Sequence, residues 1–193
     1  MRNKGLKLLH LSWSNCQILI ESVAAKIKRS GFKSDLIVAV SRGGFIPARI
    51  LCDQLSLKRL ASLQIEYYQG VGERRDSPKI IYPLNAEVKG LRILLVDDVS
   101  DSGSSLRFVR DHILSLEASE AKTATIHMKP WTKFNPDYYA KNTDAWIVYP
   151  WETLETANSI ARKLGLEGLN GEELKKRLIT LGFSKKVVSK LSL

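Results

Sequence analysis

With 193 residues, 44% hydrophobic and 26% charged, the chain is long enough for one α/β core or a core with an appendage, and collagen-like, low-complexity and disordered classes are excluded. No run of about 18 apolar residues occurs, Lys4 and Lys7 interrupt the N-terminus, and two cysteines are too few for a disulfide scaffold, so a reduced cytoplasmic protein with neither a membrane span nor export is expected. Thirty Lys and Arg against 20 Asp and Glu leave a net charge of +10, which implies an anionic partner: nucleic acid, a membrane surface or a phosphorylated small molecule.

Taken in chain order, Ser14 and Gln17 read as a capping box that opens a helix reaching Arg29 and stopped by Gly31. Residues 36–40 are wholly apolar and β-rich, as a buried parallel strand requires. After the Gly43-Gly44 turn, 45–55 has helical spacing with Pro47 in its first turn, and a strand follows over 60–67. Residues 69–79 break the pattern with Gly70, Gly72, four consecutive charges and Pro78, and are expected to form a mobile loop. Further strands are expected over 80–84, 92–96, 122–128 and 146–149, with a helix over 104–116. Strand, helix, strand is the crossover unit of a parallel sheet. From residue 153 onward three short helices are expected, over 153–164, 171–181 and 184–191. The chain thus divides into a core over 1–152 and a helical appendage over 153–193, which carries +4 of the net charge as a solvated face.

The strongest chemical signal is the run from Ile93 to Ser105, in which four apolar residues lead into Asp97 and Asp98, and Asp101, Ser102, Gly103, Ser104 and Ser105 then open a helix. Ligands bind at the carboxyl edge of parallel strands, and amides at a helix N-terminus suit phosphate. Carboxylates beside a phosphate site make sense if they hold sugar hydroxyls or a divalent cation, so the implied ligand is a phosphorylated sugar with a metal. Paired acids after a strand also open response-regulator receiver domains, where a lysine-proline pair like Lys129-Pro130 ends a later strand. Here Lys129 follows Asp98 by only 31 residues, with no strand-terminal acid between them to accept a phosphoryl group. Gly70-Val71-Gly72 lacks a third glycine and a following helix, and no Gly-Lys-Ser/Thr occurs, so nucleotide loops of those types are absent. His10, His112 and His127 stand isolated, without metal-ligand spacing.

The run from Leu95 to Ser105 resembles the 5-phosphoribosyl 1-pyrophosphate (PRPP) signature of the type I phosphoribosyltransferases, with Ser102 and Ser105 where that family usually has Thr. Ser41-Arg42-Gly43-Gly44 resembles the family's pyrophosphate loop, which often holds a non-proline cis peptide. Read without the family, it is a glycine turn that lets backbone approach an anion, with Arg42 adding charge. Segment 69–79 occupies the place of the family's closing loop, where Arg74, Arg75 and Lys79 either reach pyrophosphate or remain solvated charges. Lys129-Pro130-Trp131 and the run from Asp144 to Glu152 resemble the purine branch, especially the xanthine-guanine and archaeal enzymes.

The resemblance implies a twisted, mainly parallel α/β sheet flanked by helices, with the C-terminal helices added to it. It implies a pentosyltransferase of purine salvage, forming a nucleoside monophosphate and pyrophosphate from PRPP and a purine base with Mg²⁺. Asp97 and Asp98 would hold the ribose hydroxyls, with Asp98 also near the metal, and Asp101 would face purine N7. Ser102, Gly103, Ser104 and Ser105 would grip the 5′-phosphate, and Ser41, Arg42, Gly43 and Gly44 the pyrophosphate. Lys129 would donate to a 6-oxo group, Trp146 would stack on the base unless it belongs to the core, and the Ile147 backbone would read the base edge. Trp131 and Trp151 are expected to be structural. The resemblance further implies a homo-oligomer, dimer or tetramer. Hypoxanthine, guanine or xanthine is favoured over adenine. An adenine enzyme on the same fold, and a regulator that binds PRPP without catalysis, remain as alternatives. With the acids intact and no Arg-rich docking helix in the tail, nucleic acid is not the expected partner.

Overall fold

A computed structural model describes residues 6–68 and 77–191. By compactness the chain forms a larger unit over residues 17–143 and a smaller one in which the first 16 residues join residues 144–193. The division therefore does not fall after Glu152.

In chain order the elements are β1 (Leu8–His10), α1 (Trp13–Ser30), β2 (Leu36–Ser41), α2 (Phe45–Gln54), β3 (Leu60–Tyr68), β4 (Ser77–Tyr82), β5 (Arg92–Ser100), α3 (Ser104–Ser115), β6 (Glu120–Met128), β7 (Tyr138–Asn142), β8 (Trp146–Val148), α4 (Thr153–Leu166), α5 (Gly171–Thr180) and α6 (Lys185–Val188). The larger unit is built on a six-stranded sheet in the order β4-β3-β2-β5-β6-β7. All its pairings are parallel except β3 with β4.

The centre of this sheet is apolar because both faces are covered. Val38, Val40, Ile93 and Leu95 point to one face and share a core with Leu106, Val109 and Ile113 of α3. On the opposite face Val96, Ala124 and Ile126 meet Ile20 and Val23 of α1 and Pro47 and Leu51 of α2. The period-2 alternation that fully buried strands hide in sequence is thus resolved by the helices. Each fully buried leucine or isoleucine contributes about 2 kcal/mol. At the amino ends of β2 and β5 the Asp35 carboxylate accepts from the Arg92 guanidinium (3.0 and 3.1 Å) and backbone amide (2.9 Å). These hydrogen bonds from Arg92 hold the Asp35 carboxyl down at about 2.

Several boundaries differ from expectation for local physical reasons. The first helix is capped by Ser12 and Asn15 rather than by Ser14 and Gln17. Asn15 N donates to Ser12 Oγ (3.1 Å), Ser12 N donates to Asn15 Oδ1 (3.3 Å), and Gln17 instead donates along the helix to Glu21. Strand β7 was not expected, since Tyr138–Asn142 is short and half polar. It is seated on β6 by Asp137, whose Oδ2 accepts from both the amide and the hydroxyl of Thr123 (2.9 and 2.8 Å). The last helix shrinks to Lys185–Val188, capped by Ser184 Oγ.

In the smaller unit β1, which was also unexpected, pairs in parallel with β8. Leu6, Leu8 and Val148 pack with Ala157, Ile160, Leu164, Leu174, Leu178, Phe183 and Val188 of the C-terminal helical region. His10 Nε2 donates to the Leu181 carbonyl (2.8 Å), and its ring meets Phe183 edge-on. Cys16 and Cys52 are buried and not joined in a disulfide. Among the described residues no helix is long and apolar enough to cross a membrane.

Candidate active site

The site is set by where two neighbouring parallel strands stop. β2 pairs with β5 only as far as Ala39↔Val96, whereas β5 continues beside β6 to Ser100↔Met128. Asp97 and Asp98 therefore lie within β5 and not beyond its end, on a stretch whose β2-facing edge has lost its ladder partner. Into that opening turns the chain after β2. The Ser41–Arg42 peptide is cis, and Gly44 N donates to Val40 O (2.9 Å).

Both glycines of this turn are required by space. A Cβ on Gly44 would lie 2.2 Å from Val96 O and 2.6 Å from Val40 O, and one on Gly43 would lie 2.6 Å from the Asp98 carboxylate. Gly43 and Asp98 are thus brought face to face. Asp98 is 6% exposed, a carboxylate held against bare backbone.

Beyond β5, Asp101 and Ser102 are exposed, and Gly103 turns the chain at φ +80° into α3. Gly103 occupies the N-cap position and has no side chain to cap the helix, and a helix N-terminus of this kind suits an anion. Ser102 Oγ accepts from Ser104 N (3.3 Å) and donates to Ser104 Oγ (3.1 Å). The four residues expected to grip phosphate therefore form one turn.

A second chain segment is bonded to this turn. Lys129 N donates to Ser100 O (2.9 Å) and Lys133 N to Ser102 O (3.0 Å). Ser100 Oγ, 2% exposed, donates to Phe134 O (3.1 Å) and lies 3.0 Å from Thr132 Oγ1. Gly103 is packed so closely on this segment that a Cβ there would meet Phe134 Cβ at 2.6 Å and Thr132 Oγ1 at 2.7 Å. Lys129 is 5% exposed, with its ammonium 5.5 Å from the centroid of the Trp131 ring. The Trp131 indole N–H donates to Asp101 Oδ1 (2.7 Å).

Ser100, Thr132 and Trp131 are the residues that sequence reasoning missed or set aside as structural. The signal lay in the pairing of β5 with β6: residues following adjacent parallel strands emerge side by side, so 101–103 must meet 129–134. Nearby His127 is 1% exposed. Burial, with the positive charges of Lys129 and Lys141, pushes its pKa down to about 4.

In the smaller unit Trp146 is 45% exposed, which excludes the core position left open by the sequence, while Ile147 is 6% exposed. Trp146 N donates to Lys7 O (2.8 Å). Trp151 stacks on Tyr149 (centroids 4.7 Å, 10°) and meets Trp13, in keeping with a structural part. Arg74 and Arg75 lie outside the described residues; Lys79 lies in β4.

Residues 11–156 match the model of the phosphoribosyl transferase domain. The chain is 34% identical over 119 residues to the xanthine-guanine phosphoribosyltransferase of Gluconobacter oxydans, covering 61% of this chain and 68% of that protein. To the xanthine-guanine phosphoribosyltransferase of Roseobacter denitrificans it is 31% identical over 159 residues, covering 76% and 86%. The crystal structure of the purine phosphoribosyltransferase from Pyrococcus horikoshii superposes with a TM-score of 0.68 at 37% identity, covering 76% of this chain and 94% of that one. With that domain matched over most of the chain and a mainly parallel sheet at its centre, the chain belongs to the phosphoribosyltransferase family.

Proposed function

We propose that the chain is a purine phosphoribosyltransferase of nucleotide salvage, taking PRPP and a 6-oxopurine to the nucleoside monophosphate and pyrophosphate. The observation that supports this reading is the juxtaposition of Gly43, in the turn assigned to pyrophosphate, with Asp98, one of the two acids assigned to the ribose. In the reaction the ribose C1–oxygen bond to pyrophosphate breaks, a bond from C1 to a purine nitrogen forms, and the base loses a proton. The transition state resembles an oxocarbenium ion, so the protein's work is alignment and charge stabilisation.

Asp97 and Asp98 hold the ribose hydroxyls. The turn from Ser102 to Ser105 binds the 5′-phosphate through amides and hydroxyls, and Ser41, Arg42, Gly43 and Gly44 bind pyrophosphate. Asp101 faces purine N7 and orients its proton. The Lys129 ammonium donates to the 6-oxo oxygen and disfavours the amino group of adenine. Trp146 is assigned to stacking on the base, and its exposed ring supports that. The Ile147 backbone is assigned to the base edge. Homo-oligomeric assembly and a cytoplasmic location accompany this reading.

Magnesium takes one or two carboxylates together with substrate phosphates and needs no cage of protein ligands. The donor set fits: Asp98 offers a carboxylate next to the bare Gly43 backbone. Asp98 would hold the ion, which when bound neutralises charge on the pyrophosphate.

The test is to incubate the protein with PRPP and Mg²⁺ and, in parallel, hypoxanthine, guanine, xanthine or adenine. Nucleotide is expected from the 6-oxopurines ahead of adenine. Adenine winning the competition would reverse the base assignment, and PRPP binding without product from any base would leave a regulator.

A further inference from the structure

Trp131 is 54% exposed, a large apolar ring kept in water next to the acid assigned to the base. Its single polar atom, the indole N–H, donates to Asp101 Oδ1 at 2.7 Å. Two exposed side chains seldom hold such a bond unless the backbone prepays their ordering. Here it does. Lys129 N bonds to Ser100 O on one side of Asp101 and Lys133 N to Ser102 O on the other, while Thr132 N closes the intervening turn on Lys129 O (3.1 Å). Asp101 and Trp131 therefore project from two chain segments whose flanks are bonded together. The face of the indole lies toward the Lys129 ammonium, which favours that ring orientation.

An indole N–H neither accepts a proton nor gives one up at neutral pH, so it contributes no acid or base of its own. Its effect is to occupy one carboxylate oxygen and stop rotation of the group, leaving the second oxygen for the entering base. We infer that Trp131 is a positioning residue for Asp101, acting through the carboxylate without itself touching the reacting atoms. This rests on the reading of Asp101 as the acid that faces N7.

Trp131→Phe keeps an aromatic side chain and removes the N–H donor with the five-membered ring that bears it. With a 6-oxopurine its kcat is expected to fall ~10-fold, with KM for PRPP changed less than ~2-fold, because oriented proton handling contributes on the order of 10²–10⁴ and only part is lost. In Asp101→Asn the same substitution should have no further effect, as for residues that act as a unit. Unchanged kcat in Trp131→Phe, or losses that simply multiply in the double variant, would overturn the inference. The indole ¹H–¹⁵N resonance of Trp131 in the ligand-free protein reads the link without catalysis, and Asp101→Asn should shift it. A resonance that stays in place while the wild type turns over purine refutes the inference alone. A shifted resonance in a protein that turns over no purine refutes the functional reading, and the positioning role with it.

Discussion

The two turns proposed to hold anions, after β2 and after β5, are built in opposite ways. The turn after β2 is made by exclusion: Gly43 and Gly44 are required because Asp98 and the carbonyls of Val40 and Val96 already fill the space a side chain would take. The turn after β5 is made by attachment, being bonded through Ser100 and Ser102, and packed through Gly103, against residues 129–134. The first presents bare backbone to a ligand and depends on its strands staying in place. The second presents hydroxyls and a carboxylate whose orientation is set by a neighbouring segment. On the proposed assignment, the anion that leaves and the anion that stays on the product would be held by different means.

The sharpest way to break the comparison is Gly44→Ala. Its methyl group would meet backbone, which cannot swing aside, so a stability loss of about 3 kcal/mol or more is expected in denaturant unfolding, with activity abolished. A well-folded, active Gly44→Ala protein would show that exclusion does not govern this turn.

Acid should loosen the second turn through its support. The folded-state pKa of His127 is depressed to about 4 from 6.5. Stability from the neutral imidazole is therefore complete above pH 6.5 and is lost as pH falls toward and below 4, on the order of 3 kcal/mol in all. Thermal melts at pH 7 and 4.5 should show a smaller drop for His127→Gln than for the wild type; equal drops would remove His127 from the account.

Gly103→Ala tests attachment. A left-handed φ of +80° costs a side chain roughly 1–2 kcal/mol, and the crowding against Phe134 and Thr132 adds to it. Unfolding should report about 2 kcal/mol of destabilisation, together with weaker PRPP binding. Lys129→Met, expected to have the smallest effect on stability, should lower kcat/KM for 6-oxopurines ~10-fold, as loss of one charged hydrogen bond does, and change that for adenine least. Equal losses with all bases would move Lys129 from base choice to support of the turn.

The central strands and both turns were legible in sequence because their signals are local: apolar β runs, then small residues and acids in register. Asp97, Asp98 and Gly103 could be placed on one edge from the strand-turn-helix order alone. The strand pairing that joins residues 129–134 to the second turn is not local, and Trp131, read as structural, changes its meaning once β6 lies beside β5. Edge strand β7 escaped because Asp137 and Thr123, not apolar periodicity, seat it. Strand β1 escaped because three residues interrupted by polar neighbours carry no period, and its partner lies more than a hundred residues away in β8. The cap at Ser12 was displaced by two residues because several hydroxyl and amide side chains compete within one turn, and only geometry selects among them.

Asp101 tests most directly whether the two turns form one PRPP site with the acid reserved for chemistry. PRPP dissociation constants and turnover numbers for wild type and Asp101→Ala, measured side by side, should show binding within ~3-fold and turnover lower by ~100-fold or more, the scale of a lost general acid–base group. Turnover that survives with every base, or PRPP affinity that falls as far as turnover does, would contradict the assignment.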